Sequence, residues 1–404
     1  MSFGSSMTPA RFVVEEIDER AADLSTELPL LSVTISSGVV PREESGSSQA
    51  ASEDVSHYKV CREGDIVINR LRAFQGAIGR SPVAGLVSPD YAVLRVGNLL
   101  DSRFAHYQMR SSWFVSEITK RLRGIGDPDS PQVRTPRINV GDLGRIGMYT
   151  PPLKDQRRVV DMLDEETARI DVMIGKNSDV LRALDSRLKA MIDYEFAPHV
   201  KTGGPLGYFA EVRTSGIDKH SVEGQRVVRL CNYTDVYNSR EIEDSSGFMA
   251  ATCSESEYSR LRLKPGDVVL TKDSETADDI GIPAIVRVDD PDLVLGYHNA
   301  LLRVLDGQLL PDFLYWFLQT RQARDAFALK ARGVTRVGLR VQDIAAIRVP
   351  APAPSAQHDL AHVLWTAQGR MDHLSAQVQR QNDLLERRRR SLINAAVTGQ
   401  LEGF

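Results

Sequence analysis

The chain has 404 residues, enough for two or three ordinary domains that each bury their own core. With 42% hydrophobic and 26% charged residues its composition is globular, and no run approaches the ~20 apolar residues of a membrane span. A formal charge of −4 is not the signature of a protein that holds nucleic acid by bulk electrostatics, so any such role rests on local charge.

Residues 1–10 have neither a basic start nor an apolar signal core, and Cys61, Cys231 and Cys253 form no CxxC pair. A reduced, cytoplasmic protein with no membrane association is expected. Residues 1–25 read as an acidic N-terminal tail, with Glu15, Glu16, Asp18, Glu19 and Asp23. Residues 26–150 read as a mixed α/β globular domain. Asp65-Ile66-Val67-Ile68 after Gly64, and residues 91–96, are short apolar runs expected of buried strands; residues 104–119 carry apolar side chains at helical spacing. A basic run follows with Lys120, Arg121, Arg123, Arg134 and Arg137.

Residues 151–200 read as one long helix. Pro151-Pro152 blocks helix before it, and nothing breaks it from about Asp155 to Phe196. Two seams step by seven, as a coiled coil requires: Val160, Thr167, Ile174, Leu181, Leu188, and Leu163, Ile170, Asn177, Leu184, Met191. Residues 201–350 form a second globular domain, with expected strands at 267–270, 284–288 and 300–304 and helical spacing over 313–330. Its basic run holds Arg321, Arg324, Lys330, Arg332, Arg336 and Arg340. Residues 351–404 read as a second long helix, capped by Ser355 after Pro350, Pro352 and Pro354. Its seam is Leu364, Met371, Val378, Leu385 and Leu392, with a weaker companion of Ala361, Gln368, Ser375, Asn382 and Arg389.

The two halves echo one another. Asp142, Ile146, Pro151, Gln156, Leu163, Asp171, Leu184, Arg187 and Ile192 reappear 201 residues later as Asp343, Ile347, Pro352, Gln357, Leu364, Asp372, Leu385, Arg388 and Ile393. Upstream the echo persists with drifting offsets: Ser37-Gly38 with Ser215-Gly216, Gly64-Asp65 with Gly266-Asp267, and Arg123-Gly124 with Arg332-Gly333. A tandem duplication follows, with a constant helix and variable loops, and loops are where recognition residues usually sit. The first domain lacks a counterpart of part of residues 227–249, since about 26 residues separate its landmarks against about 50 in the second. The fold class is thus α+β: two globular domains spaced by two long helices that pair antiparallel in a pseudo-two-fold repeat. Packing of each helix on its own domain is the alternative.

Enzyme signatures are missing. There is no phosphate loop, no Gly-x-Gly-x-x-Gly, no Asn-Pro-Pro-aromatic motif, and no Lys with an acidic residue two positions before it. The His residues are scattered without zinc spacing. His298, in Gly296-Tyr297-His298-Asn299, is more simply structural or a hydrogen-bonding loop residue than catalytic. Gly64-Asp65 and Gly266-Asp267 are better explained as turns before strands than as catalytic acids.

The phrase Pro-Pro-Leu-Lys-Asp-Gln-Arg-Arg-Val-Val-Asp-Met-Leu-Asp (151–164) with Arg169-Ile170-Asp171, and the ending Ser391-Leu392-Ile393-Asn394-Ala395-Ala396-Val397-Thr398-Gly399, closely resemble the specificity subunits of type I restriction–modification systems. Val87-Ser88-Pro89-Asp90-Tyr91-Ala92-Val93 and Asn69-Arg70-Leu71-Arg72-Ala73-Phe74-Gln75-Gly76 look like that family's target-recognition domains. The resemblance implies a non-catalytic subunit that reads a split target in double-stranded DNA, one domain per half-site, with the two helices as spacer. It implies methyltransferase subunits and a restriction/translocase subunit as partners; S-adenosylmethionine, ATP and Mg would sit on those partners and no cofactor on this chain.

Candidate DNA contacts are Arg70, Arg72, Arg121, Arg123 and Arg137 in the first domain, and Lys272, His298, Arg332, Arg336 and Arg340 in the second. Candidate helix-pairing residues are Leu163, Ile170, Ile174, Leu181 and Leu184 on one helix and Leu364, Met371, Val378 and Leu385 on the other. A coiled-coil interaction scaffold that binds no DNA, and an enzyme with an unrecognised site around Tyr297, are the competing classes.

Overall fold

A computed structural model describes residues 7–21, 28–46, 54–122, 136–305 and 307–401. The chain divides into two compact units, residues 1–177 with 379–404, and residues 178–378. Each long helix, Leu153–Phe196 and Pro354–Val397, therefore gives one half to each unit.

In the first unit a four-stranded antiparallel sheet runs Val14–Ile17, Tyr91–Val96, Ile66–Asn69, Ile78–Arg80. Its central strands are buried on both faces, which is why they read as continuous apolar runs. Ile66, Ile68, Ala92 and Leu94 join one core with Phe104 and Phe114, while Val67 and Val93 face a second with Leu31, Val33 and Val39. The second unit repeats the device in a five-stranded sheet ordered Ala210–Thr214, Asn299–Val304, Val268–Thr271, Pro283–Val286, Glu241–Ile242. There Val268, Leu270 and Leu302 pack on Phe313, Phe317 and Phe327, and Val269 and Leu301 face the other way.

The duplicated polar residues recur in duplicated roles. Gly64 and Gly266 take φ of 89° and 88°, a left-handed turn into each central strand. The helix starts are fastened alike. Buried Gln156 accepts from the Asp101 amide at 2.7 Å and donates to the Leu99 and Pro151 carbonyls at 2.9 and 2.7 Å. Gln357 does the same with Leu310, Gln308 and Pro352, each at 2.8 Å. The stretches of helical spacing over 104–119 and 313–330 each break into two helices: Ser102–Arg110 with Ser112–Thr119, and Pro311–Leu318 with Arg321–Lys330. Ser111 and Thr320 cause the breaks, their hydroxyls capping the second helix by accepting from Phe114 and Ala323 amides at 3.2 Å. The second long helix begins at Pro354, so Ser355 lies in its first turn and is not its N-cap.

A further expectation is overturned. The acidic N-terminal segment is no tail: Met7–Pro9 pairs with Gly147–Tyr149, Val14–Ile17 forms the sheet edge, and Ala10 and Val13 are core. Its carboxylates are held by cations that neighbouring strands present. Lys59, 4% exposed, lies 3.2 Å from Asp18 and 3.7 Å from Glu16, and Arg62 reaches Glu19 at 3.4 Å. Asp23 and Glu27 lie outside the described residues.

The two units differ by an insertion. In the first, a short turn at residues 35–37 links strand Leu31–Thr34 to Gly38–Pro41. In the second, helix Tyr233–Tyr237 and strand Glu241–Ile242 separate Arg226–Cys231 from Met249–Cys253. The surrounding frame matches, since Leu30 bridges Leu86 in parallel as Arg229 to Cys231 pair with Leu293 to Leu295.

Candidate nucleic-acid interface

In the first unit Arg70 and Arg137 come together beside the end of strand Ile66–Asn69. Arg70 Nε donates to the Ile138 carbonyl at 3.1 Å, and burial, then the Arg137 charge, lower its pKa. Arg137 pairs with Asp90 at 3.4 Å. Arg72 is exposed on the following turn, with no carboxylate partner among the described residues. Arg121 is tied to Glu117 one turn back, at 2.6 Å to the carboxylate and 2.8 Å to the carbonyl. Arg123 lies outside the described residues, as does Arg134.

In the second unit Lys272 and His298 converge on one carboxylate. Lys272 Nζ lies 2.6 Å, and His298 Nδ1 2.7 Å, from Asp273 Oδ2. Arg340 is bound to Asp343, at 2.7 Å and 3.2 Å. Arg332 and Arg336 are exposed and form no ion pair among the described residues, although the Arg332 charge acts on the Asp343 carboxylate through space. They stand on a loop closed by two backbone hydrogen bonds between Arg332 and Gly338, at 3.1 and 2.9 Å. Thus Arg72, Arg332 and Arg336 have guanidinium groups open to an incoming phosphate or base edge, whereas Arg121, Arg137, Lys272 and Arg340 are engaged by carboxylates and Arg70 by backbone.

Arg336 lines a pocket of about 390 Å³ with Tyr233, Asp273, Glu275, Asp279 and His298. Of these, only Arg336 and His298 are candidate contacts on sequence grounds. Tyr233 belongs to the segment that the first domain lacks, and that difference between the repeats is the one signal that pointed to it.

The helix seams are visible within each unit. In the first, Arg388 reaches Glu166 at 3.3 Å, Arg389 pairs with Asp171, and Asn177 Nδ2 donates to Asn382 Oδ1 at 2.7 Å. Residues 166 and 171 meet 388 and 389, whereas residue 177 further along meets residue 382 further back, so the pair is antiparallel. Leu163 and Ile170 are buried there, and Ile174 and Leu385 half-buried. In the second unit Leu364 is buried and Leu181, Leu184, Met371 and Val378 are half-buried. The helix ends also pack on globular cores: Val160, Leu163, Ala396 and Val397 on the first, Ile192, Phe196, Leu360 and Leu364 on the second. Pairing and packing on the domain therefore coexist.

Among the described residues no group of three His, Cys, Asp or Glu side chains could hold a metal, and no helix is long and apolar enough to cross a membrane. Asp65 and Asp267 are each bound by an arginine and by the amide of Arg62 or Lys264, as turn-closing residues are.

No family model matches the chain. It is 22% identical over 284 residues to the type I restriction enzyme EcoKI specificity subunit of Escherichia coli (strain K12), a match over 65% of this chain and 58% of that protein. The chain thus spans less than two thirds of the curated relative it matches. The HsdS subunit from Thermoanaerobacter tengcongensis superposes with a TM-score of 0.53 at 16% identity, covering 98% of this chain and 97% of that one. A chain from a structure concerned with complex assembly and conformational transition of the type I R-M system gives 0.74 at 16% identity, over 99% of this chain and 100% of that one. The chain has the fold of solved type I restriction–modification subunits, and in sequence it resembles a specificity subunit of those systems.

Proposed function

We propose that the chain is the non-catalytic, DNA-sequence-reading subunit of a cytoplasmic type I restriction–modification complex. Each target-recognition domain reads one half of a bipartite target in double-stranded DNA, and the paired helices keep the halves apart. Methyltransferase subunits carrying S-adenosylmethionine dock on it, and an ATP- and Mg-dependent restriction/translocase subunit joins for cleavage. The observation that carries this reading is the duplication itself. Two copies share turn, ion pair and helix anchor down to the role of each polar atom, yet differ in the loops and in one inserted segment. Identical frames with divergent loops suit two readers of different sequence on one scaffold. The absence of enzyme motifs in the sequence fits a division of labour in which chemistry belongs to the partners.

The test is reconstitution. With its partner methyltransferase the chain should direct methylation to a two-part motif with an unread gap, and duplex binding should weaken steeply with salt as phosphate contacts are lost. The chain alone with S-adenosylmethionine should methylate nothing. A coiled-coil scaffold without DNA affinity would instead give salt-insensitive, negligible duplex binding.

A further inference from the structure

The pocket beneath the loop of residues 332–338 is built unlike a phosphate seat. Its wall is rigid. Strand Asp273–Ser274 pairs with Val337–Gly338, the Leu339 amide donates to the Lys272 carbonyl at 2.8 Å, and the Lys272 amide donates to that of His298 at 2.8 Å. The loop turns at Gly333, whose φ is 146° and where a Cβ would stand 1.9 Å from the Arg336 carbonyl oxygen. His298 is the one non-glycine residue with positive φ among the described residues, at 71°. Such a conformation is disfavoured for a residue with a side chain and collects at ligand-facing positions. Its ring packs edge-on against Tyr297 with centroids 4.1 Å apart, and Nδ1 is committed to Asp273. Nε2 is the ring nitrogen left for a ligand.

The remaining groups are of both signs. Arg336 offers a guanidinium without a carboxylate partner among the described residues, and exposed Glu275 offers a carboxylate. Asp279, which accepts from Tyr237 Oη at 3.1 Å, and the Tyr233 ring complete the lining. Asp273 is balanced by Lys272, but Glu275 and Asp279 repel a phosphate. A base-pair edge, by contrast, presents acceptors and an amino donor together: guanine N7 and O6 suit the arginine fork, and the cytosine N4 amino group suits a carboxylate.

We propose that this pocket reads one G·C pair of the half-site assigned to the second domain, with Arg336 on the guanine and Glu275 on the cytosine amino group. His298 and Asp273 hold the wall against which the pair is read. The inference rests on the DNA-reading function proposed above and adds which side chains set the sequence.

The experiment uses the full chain assembled with its partner methyltransferase, and maps methylated bases for wild type, Arg336→Ala, Arg336→Lys and Glu275→Gln. Arg336→Ala should lower discrimination at one G·C position by roughly 5- to 150-fold, the worth of one bidentate contact, and leave the other half-site untouched. Glu275→Gln should relax the same position. Arg336→Lys, which keeps charge but not the fork, should remain relaxed, and thermal unfolding should match wild type. An unchanged motif in both Arg336→Ala and Glu275→Gln overturns the proposal. So does a uniform loss of affinity with the salt slope reduced by about one, which marks a phosphate contact. Weakened methyltransferase assembly, with the remaining complex still methylating the wild-type motif, overturns it in favour of a protein contact. If wild type itself methylates no two-part motif, the failure lies with the DNA-reading function rather than with the pocket.

Discussion

Asp65 accepts two hydrogen bonds from the guanidinium of Arg95, at 3.1 and 2.9 Å, across the two central strands of the first domain. Asp267 and Arg303 repeat the pair in the second, at 2.8 and 2.6 Å. Each aspartate also accepts from a backbone amide three residues earlier, so one carboxylate closes the glycine turn and locks the neighbouring strand. Removing it leaves a guanidinium and an amide unmatched. Asp65→Ala should destabilise the first unit by about 2–3 kcal/mol, below the ~3–5 kcal/mol of a fully buried pair because the Arg95 side chain is 33% exposed. Urea denaturation checks this, and a loss under about 0.5 kcal/mol would make the pair incidental.

The first domain should also be acid-sensitive through one imidazole. His106 Nδ1 accepts from the Arg80 amide at 3.0 Å, which requires the neutral ring. Burial first, then the charges of Arg110 and Arg80, bring its pKa down to about 4. An unfolded histidine titrates near 6.5, so between there and about 4 the unfolded chain binds a proton that the folded one refuses. Stability should therefore fall as pH drops through that window and be indifferent to this residue above about 7. His106→Gln, which offers a neutral acceptor, should flatten the profile between pH 6.5 and 4. Equal slopes for variant and wild type in paired denaturation series would remove His106 from the account.

Asn177 and Asn382 place a hydrogen-bonded amide pair in the helix seam, a device that fixes register at some cost in stability. Inserting four residues beside Asn177 lengthens one helix by ~6 Å and is absorbed by the seam as a stutter. At ~3.4 Å per base pair the expected outcome is an unread gap one or two base pairs wider, with both half-sites unchanged. Methylated-base mapping in cells carrying the altered chain and its methyltransferase measures it. A gap of unchanged length in an active complex would mean that the helices are not the spacer.

Much of the frame was legible because it is written in periodicity and repetition. The helix seams, the buried strands and the duplicated Gly-Asp turns all follow from apolar spacing and from like residues at matched offsets. Two kinds of feature were not. The acidic segment looked like a tail because its partners, Lys59 and Arg62, lie far along the chain and meet it only across strand pairing. Among the arginines, a basic run says nothing about which members are spent. Arg121 and Arg340 are consumed by carboxylates three or four residues away, while Arg72, Arg332 and Arg336 stay open. The pocket side chains come from different parts of the chain, Tyr233 from one and Asp273 with Glu275 from another, so only folding brings them to Arg336.

The claim that each domain reads its own half-site is tested most directly by exchange. Residues 203–349 are replaced with the corresponding domain of a type I specificity subunit of known target, and the methylated motif of the assembled complex is mapped. The account predicts that one half of the motif changes to that of the donor, while the other half and the gap stay as they were. A motif in which both halves change together, or in which neither does, would contradict it.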